Sequence, residues 1–158
     1  MSISSQGAKI VSGEQGRRQN VLGDNQRVLL TGEDTGGKYA LIENFDPPGV
    51  GIPLHLHRNE DEMFYVVEGQ VEFQVSGEVV RASVGTTVHI SRNTPHAFTI
   101  IGDVPAKMLI MLVPAGLEKY FEELSRLPSD EPPDMEKVVA ISAPYGIEFL
   151  STPEGPAV

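Results

Sequence analysis

The sequence contains no cysteine. Disulfides, thiolate metal ligands, iron–sulfur clusters and a cysteine nucleophile are therefore excluded. Basic residues are scarce: 12 Lys and Arg stand against 22 Asp and Glu, giving a formal net charge of −10 and a pI near 4.8. No Lys/Arg cluster occurs along the chain. An acidic chain without a basic footprint is a poor partner for nucleic acid or for an anionic membrane surface. Long apolar runs are missing as well. The longest, Met108 to Val113, is far too short to span a bilayer. The N-terminal stretch Met-Ser-Ile-Ser-Ser-Gln-Gly has no apolar core of the kind a signal peptide needs. The expectation is a cytoplasmic protein whose partners are small molecules, with no nucleic acid and no membrane among them.

What is present is material for one domain. A chain of 158 residues with 40% hydrophobic and 22% charged side chains buries roughly 70% of its unfolded surface and needs no covalent staple. Glycine (16) and proline (12) break it into short pieces. From Gln26 onward apolar stretches recur at the spacing of a β-sandwich or barrel. The pattern predicts strands at 27–31, 39–45, 53–57, 63–68, 71–75, 79–82, 87–90, 96–100 and 106–113. Met108 to Val113 is apolar on both faces, so both sides of that strand require cover.

After Pro114 the period changes. Leu117, Tyr120, Phe121, Leu124 and Leu127 recur at helical spacing, and Glu122 with Arg126 forms an i,i+4 pair. Pro128 ends this helix. A second opens with Asp134 as N-cap ahead of Met135, Val138 and Val139, stops at Pro144-Tyr145-Gly146, and is followed by a short strand from Ile147. The expected organisation is an N-terminal extension over 1–26, a β-domain over 27–113 and a C-terminal helical segment over 114–158.

Three of the four histidines carry chemistry. His55 and His57 lie two apart in one strand, so both rings face the same way. Glu62 follows after a turn through Arg58-Asn59-Glu60-Asp61, and His96 lies in a later strand. Three imidazoles and a carboxylate without sulfur suit one divalent first-row metal: Fe, Ni, Mn, Co, Cu or Zn. Glu60 and Asp61 compete with Glu62 for the carboxylate position; only Glu62 fits both the distance from His57 and the distance to Gly69. His89, flanked by Val88 and Ile90, falls outside the pattern and is expected on the exterior.

Gly49, His55, His57, Glu62 and Gly69, with five, one, four and six residues between them, resemble the first motif of the cupin superfamily. Gly85 and His96 keep the separation of the second. Ser91 stands where proline is usual, Asn93 where glycine is usual, and Ile100 where asparagine is often seen. Asn tolerates positive φ better than other non-glycine residues, so Asn93 is expected to make the same turn. The resemblance implies an all-β double-stranded β-helix, the cupin or jelly-roll barrel, with one or two C-terminal α-helices and with residues 1–26 packed on it. It implies His55, His57, Glu62 and His96 as metal ligands.

Alternation along the strands then places Phe64 and Val66 beside Glu62, and Phe98 and Ile100 beside His96, as apolar walls of a substrate pocket. As aromatic residues in strands, Phe64, Tyr65 and Phe98 are more often core than substrate platform. The tail, Pro114 to Leu124 and Tyr145 to Glu148, is similar to quercetinase-like dioxygenases. That resemblance implies a dioxygenase acting on a small aromatic or enolisable substrate, with Glu62 as the catalytic base. The alternatives are a binding or sensor cupin without turnover and a cupin isomerase or decarboxylase. A homodimer through outer strands or the C-terminal helices is expected to cover the strand from Met108 to Val113; the two helices packing back on their own barrel would cover it too.

Overall fold

Strands with one buried face form wherever the sequence alternates, and they pair antiparallel throughout. The computed structural model describes residues 3–5, 7–152 and 155–156. In chain order, β1 (Ile3–Ser5), β2 (Ala8–Ile10), β3 (Arg17–Val21), β4 (Asp24–Leu30), α1 (Gly32–Thr35) and β5 (Ala40–Asp46) come first. They are followed by β6 (Gly51–His57), β7 (Asp61–Glu68), β8 (Gln70–Val75), β9 (Glu78–Ala82), β10 (Thr87–Ile90), β11 (His96–Ile101) and β12 (Ala106–Val113). Then come α2 (Leu117–Ser125), α3 (Met135–Ser142), a 3-10 turn at Ala143–Tyr145, β13 (Ile147–Phe149), β14 (Ser151–Thr152) and β15 (Gly155–Pro156). The strands expected from sequence correspond to β4 through β12.

Two sheets make a jelly-roll barrel. One has the order β10-β7-β12-β5-β4-β3, the other β13-β6-β11-β8-β9. The larger sheet begins at Arg17, inside the stretch expected to be an extension over the surface, because β3 pairs along its length with β4. The chain before it is tied down by Arg27, whose guanidinium donates to the carbonyls of Ser12 and Gln15.

The core is the space between the sheets. Phe64, Phe73 and Phe98 pack with ring centroids 5.1 to 6.1 Å apart, the offset and edge geometry aromatic rings prefer. In β12, Met108, Ile110 and Leu112 are buried while Leu109 and Met111 on the other face are only half-buried. The inner face is therefore covered by the barrel itself. Tyr65 differs from expectation: it points outward from β7 and is 40% exposed, because the alternation that buries Phe64 must turn its neighbour away.

The helices close one end of the barrel. Leu117, Tyr120 and Leu124 of α2 are buried. The Tyr120 hydroxyl lies 2.7 Å from Ser142 Oγ, which itself donates to the Val138 carbonyl, so α2 and α3 are joined by a buried polar chain. Asp134 caps α3 as expected, accepting from the Glu136 and Lys137 amides.

A second buried polar cluster lies where β4 meets β5. Asp24 Oδ2 accepts from Gln26 Nε2 and Asp46 Oδ1 from the Asn25 amide, while Asp24 Oδ1 and Asp46 Oδ2 have no donor. Burial, and then the neighbouring Asp46 carboxyl, push Asp24 well above the usual carboxylate range. A proton retained on Asp24 would supply the donor that these oxygens lack. For an acid raised in the folded state, the stabilisation is fully present below its unfolded value of about 3.9 and is lost as pH rises through the folded one. Asp24→Asn supplies a permanent donor toward Asp46. It is expected to flatten this alkaline decline, gaining about 1–2 kcal/mol over wild type at pH 8. Melting curves of both proteins from pH 4 to 9 check this; parallel declines would contradict the retained proton.

Candidate metal centre

The site is assembled from both sheets. In the five-stranded sheet, β6 and β11 are neighbours in a register that sets His55 directly across from His96. His57 follows two residues later in β6. Glu62 enters from β7 of the other sheet, between Ile90 of β10 and Leu112 of β12. One ligand atom from each of His55, His57, Glu62 and His96 lies within 4.8 Å of all the others, and all four residues are buried. The turn after β10 uses Asn93 at φ 66°, as the sequence predicts, and its amide donates to the His57 carbonyl.

Hydrogen bonds fix the tautomers of two rings. His55 Nδ1 lies 2.8 Å from the Pro53 carbonyl and His96 Nδ1 lies 2.8 Å from the Thr94 carbonyl. A carbonyl only accepts, so each ring carries its proton on Nδ1 and leaves Nε2 as a lone pair. His55 Nε2 is 3.0 Å from His57 Nε2, His96 Nε2 is 3.0 Å from Glu62 Oε1, and His57 Nε2 is 3.6 Å from the same oxygen.

Burial, then the neighbouring His96 and His57 rings, pushes His55 down to about 3; burial also lowers His57. Burial alone would raise Glu62, yet His57 and His96 hold it below the usual carboxylate range. His55 and His96 thus turn Nε2 lone pairs, and Glu62 an ionised carboxylate, toward one point, an arrangement that a cation relieves. Separations near 3 Å are those of donors sharing one ion at about 2.0–2.2 Å. The residues fit a divalent transition metal.

The competing carboxylates are elsewhere. Asp61 turns outward to the Arg92 amide (2.9 Å) and guanidinium (3.2 Å), and Arg92 holds it below its ordinary value. Glu60 is buried next to His57 but not in the cluster, and burial followed by the Glu62 charge pushes it up to about 7. His89 is exposed, 3.4 Å from Ser91 Oγ. His89→Ala is expected to leave metal content unchanged and stability within about 0.5 kcal/mol; metal analysis and a melting curve check it.

A cavity of about 370 Å³ opens over His55, His57 and Glu62. Phe64 and Phe98 are in its wall. Val66 and Ile100, expected beside them, are instead in the hydrophobic core, 0% and 1% exposed, and are not among its lining residues. They lie on the same strand faces but further from the cluster. Sequence reasoning missed the opposite wall: Tyr120, Phe121 and Leu124 of α2, Met135 of α3, and the polar Asp24 and Gln26 of β4. The helical periodicity of α2 marked these apolar residues as buried, but nothing in the sequence said against what.

Residues 42–113 match the family model Cupin_2, described as a cupin domain. The fold and this match make that segment a cupin domain. Among characterised relatives, quercetin 2,3-dioxygenase of Bacillus subtilis is 28% identical over 113 residues, 70% of this chain and 33% of that protein. The tetracenomycin polyketide synthase protein TcmJ of Streptomyces glaucescens is 28% identical over 93 residues, 58% of this chain and 62% of that one. The chain thus spans between a third and under two thirds of the length of these relatives. A predicted oxalate decarboxylase from Thermotoga maritima superposes with a TM-score of 0.63 at 20% identity, covering 66% of this chain and 97% of that one. At that identity the likeness is one of fold. Among the described residues, no helix is long and apolar enough to cross a membrane.

Proposed function

We propose that the protein is a metal-dependent dioxygenase that takes a small aromatic or enolisable molecule into the cavity above a three-histidine, one-glutamate centre. The observation that carries this reading is the convergence of three buried imidazoles and one buried carboxylate on one point at the base of a largely apolar cavity. His55, His57, Glu62 and His96 would hold the ion. When bound, a divalent metal there supplies Lewis acidity that lowers the pKa of a substrate hydroxyl. Glu62 takes the proton released as that hydroxyl ionises, since it is the one carboxylate of the cluster. Phe64 and Phe98 hold the flat body of the substrate, and the helices keep bulk water from it. Dioxygen is the co-substrate.

The similarity to a quercetin dioxygenase supports oxygen chemistry, and the similarity to proteins named for polyketide synthesis and oxalate decarboxylation keeps enolate chemistry without oxygen as the second reading. Oxygen uptake by metal-reconstituted protein with flavonols, catechols and 1,3-diketones separates them. Consumption of oxygen with product formation is expected. Anaerobic conversion would give an isomerase or decarboxylase, and tight binding without product would give a binding module. A cytoplasmic homodimer completes the proposal. Exposed Val79 and Val80 on edge strand β9 and half-buried Leu109 and Met111 on β12 are outer-strand surfaces that a second copy would cover, and sedimentation velocity tests it.

A further inference from the structure

A histidine that ligates through Nε2 keeps one orientation only if its other ring nitrogen is held. His55 and His96 are held alike, each by the carbonyl two residues earlier in its own strand, Pro53 and Thr94. His57 departs from this scheme. Its Nδ1 is buried and has no hydrogen-bond partner among the described residues. Facing it at 3.9 Å is Glu60 Oε1, itself buried and without a partner. A potential donor and an acceptor, both orphaned, therefore point at each other three residues apart.

The turn between them is pinned on every side. The Arg58 amide donates to the Gly146 carbonyl, Asn59 Nδ2 donates to the Tyr145 carbonyl, and Asp61 is clamped to Arg92. Gly146 takes φ 73° beside this turn, and a Cβ on it would stand 2.6 Å from Asn59 Nδ2, displacing that side chain. With the backbone of the turn fixed, the Glu60 carboxyl is directed inward at the ring. Resting on the reading of His57 as a metal ligand, we propose that Glu60 is a positioning residue that accepts a hydrogen bond from His57 Nδ1–H when Nε2 engages the ion. The gap exceeds a hydrogen bond by about 1 Å, a distance the Glu60 side chain covers by a small torsional change. One ligand of the centre is thereby oriented by a carboxylate and two by carbonyls.

The test compares wild type with Glu60→Gln and Glu60→Leu. Zn²⁺ affinity is measured by competition with a chromophoric chelator, and the ring N–H protons of the zinc-loaded, ¹⁵N-histidine-labelled proteins are recorded by NMR. Affinity is expected to fall about 10- to 100-fold in Glu60→Leu and less in Glu60→Gln, whose amide oxygen still accepts. The His57 Nδ1–H resonance should sit downfield in wild type and move upfield in Glu60→Leu, with His55 and His96 unmoved. A merely structural role for Glu60 would not shift one ring alone. Unchanged affinity and an unchanged His57 resonance would overturn the proposal while leaving the metal site intact. If Glu60→Leu does not fold, the wild-type spectrum decides: a fast-exchanging His57 Nδ1–H without the downfield shift overturns it. Failure of wild type to bind Zn²⁺ would reject the metal site itself, and this inference with it.

Discussion

Glu62→Gln is expected to lower turnover by about 10²- to 10⁴-fold, the contribution of a positioned general base, while the protein stays folded and keeps part of its metal. Glutamine matches glutamate in size and fits between Ile90 and Leu112. Its amide oxygen can still face the ion, but it carries no charge and takes no proton. The variant separates two roles that Glu62 combines, holding the ion and accepting a proton. The assay is turnover with whichever compound of the oxygen-uptake panel reacts, alongside metal per chain. Full activity in Glu62→Gln would remove Glu62 from the mechanism, whatever its metal content.

Gly51→Ala should be among the most damaging single-methyl changes in the chain. A Cβ at Gly51 would stand 2.1 Å from the Phe98 carbonyl oxygen and 3.0 Å from Thr99 Cα, both backbone atoms that cannot step aside. β6 and β11 would have to separate at the Gly51–Thr99 pair, next to the point between His96 and Phe98 where their register shifts. That pairing is what sets His55 across from His96, so packing strain here reaches the metal centre. A loss of about 2–4 kcal/mol is expected, together with weaker metal binding. Gly13→Ala is the control: its Cβ meets nothing within 4 Å, and no measurable change is expected. Denaturant unfolding of both variants checks the pair. An unperturbed Gly51→Ala would mean that the strand pairing is more pliable than the packing implies.

Much of this was legible before any coordinates, for reasons that differ by element. β7 and β11 were legible because a half-buried strand must alternate, which put Glu62 with Phe64, and His96 with Phe98, on inner faces. His55 and His57 shared a face for the same reason. β3 was not legible: Arg17-Arg18-Gln19-Asn20 is polar, and an edge strand buries too little to need an apolar pattern. Val66 and Ile100 were placed in the cavity wall because alternation gives a side chain's face and not its depth along the strand. Gly51 gave no signal, since its constraint comes from a strand 47 residues away in sequence. Gly69 takes φ 77° and also lies against Pro105 and Ala106, where a Cβ would stand 2.5 Å from the Pro105 carbonyl oxygen, a constraint its sequence neighbours do not show. The far wall of the cavity, from α2, α3 and β4, depends on how the helices fold back, which periodicity alone does not specify.

Whether His55, His57, Glu62 and His96 form a metal centre is decided by elemental analysis of wild type beside His57→Ala, both purified with no metal added. Close to one divalent transition metal per chain is expected in wild type and little in His57→Ala, with both proteins folded. Wild type without metal even after reconstitution, or equal metal in the two proteins, would contradict a metal centre at these residues.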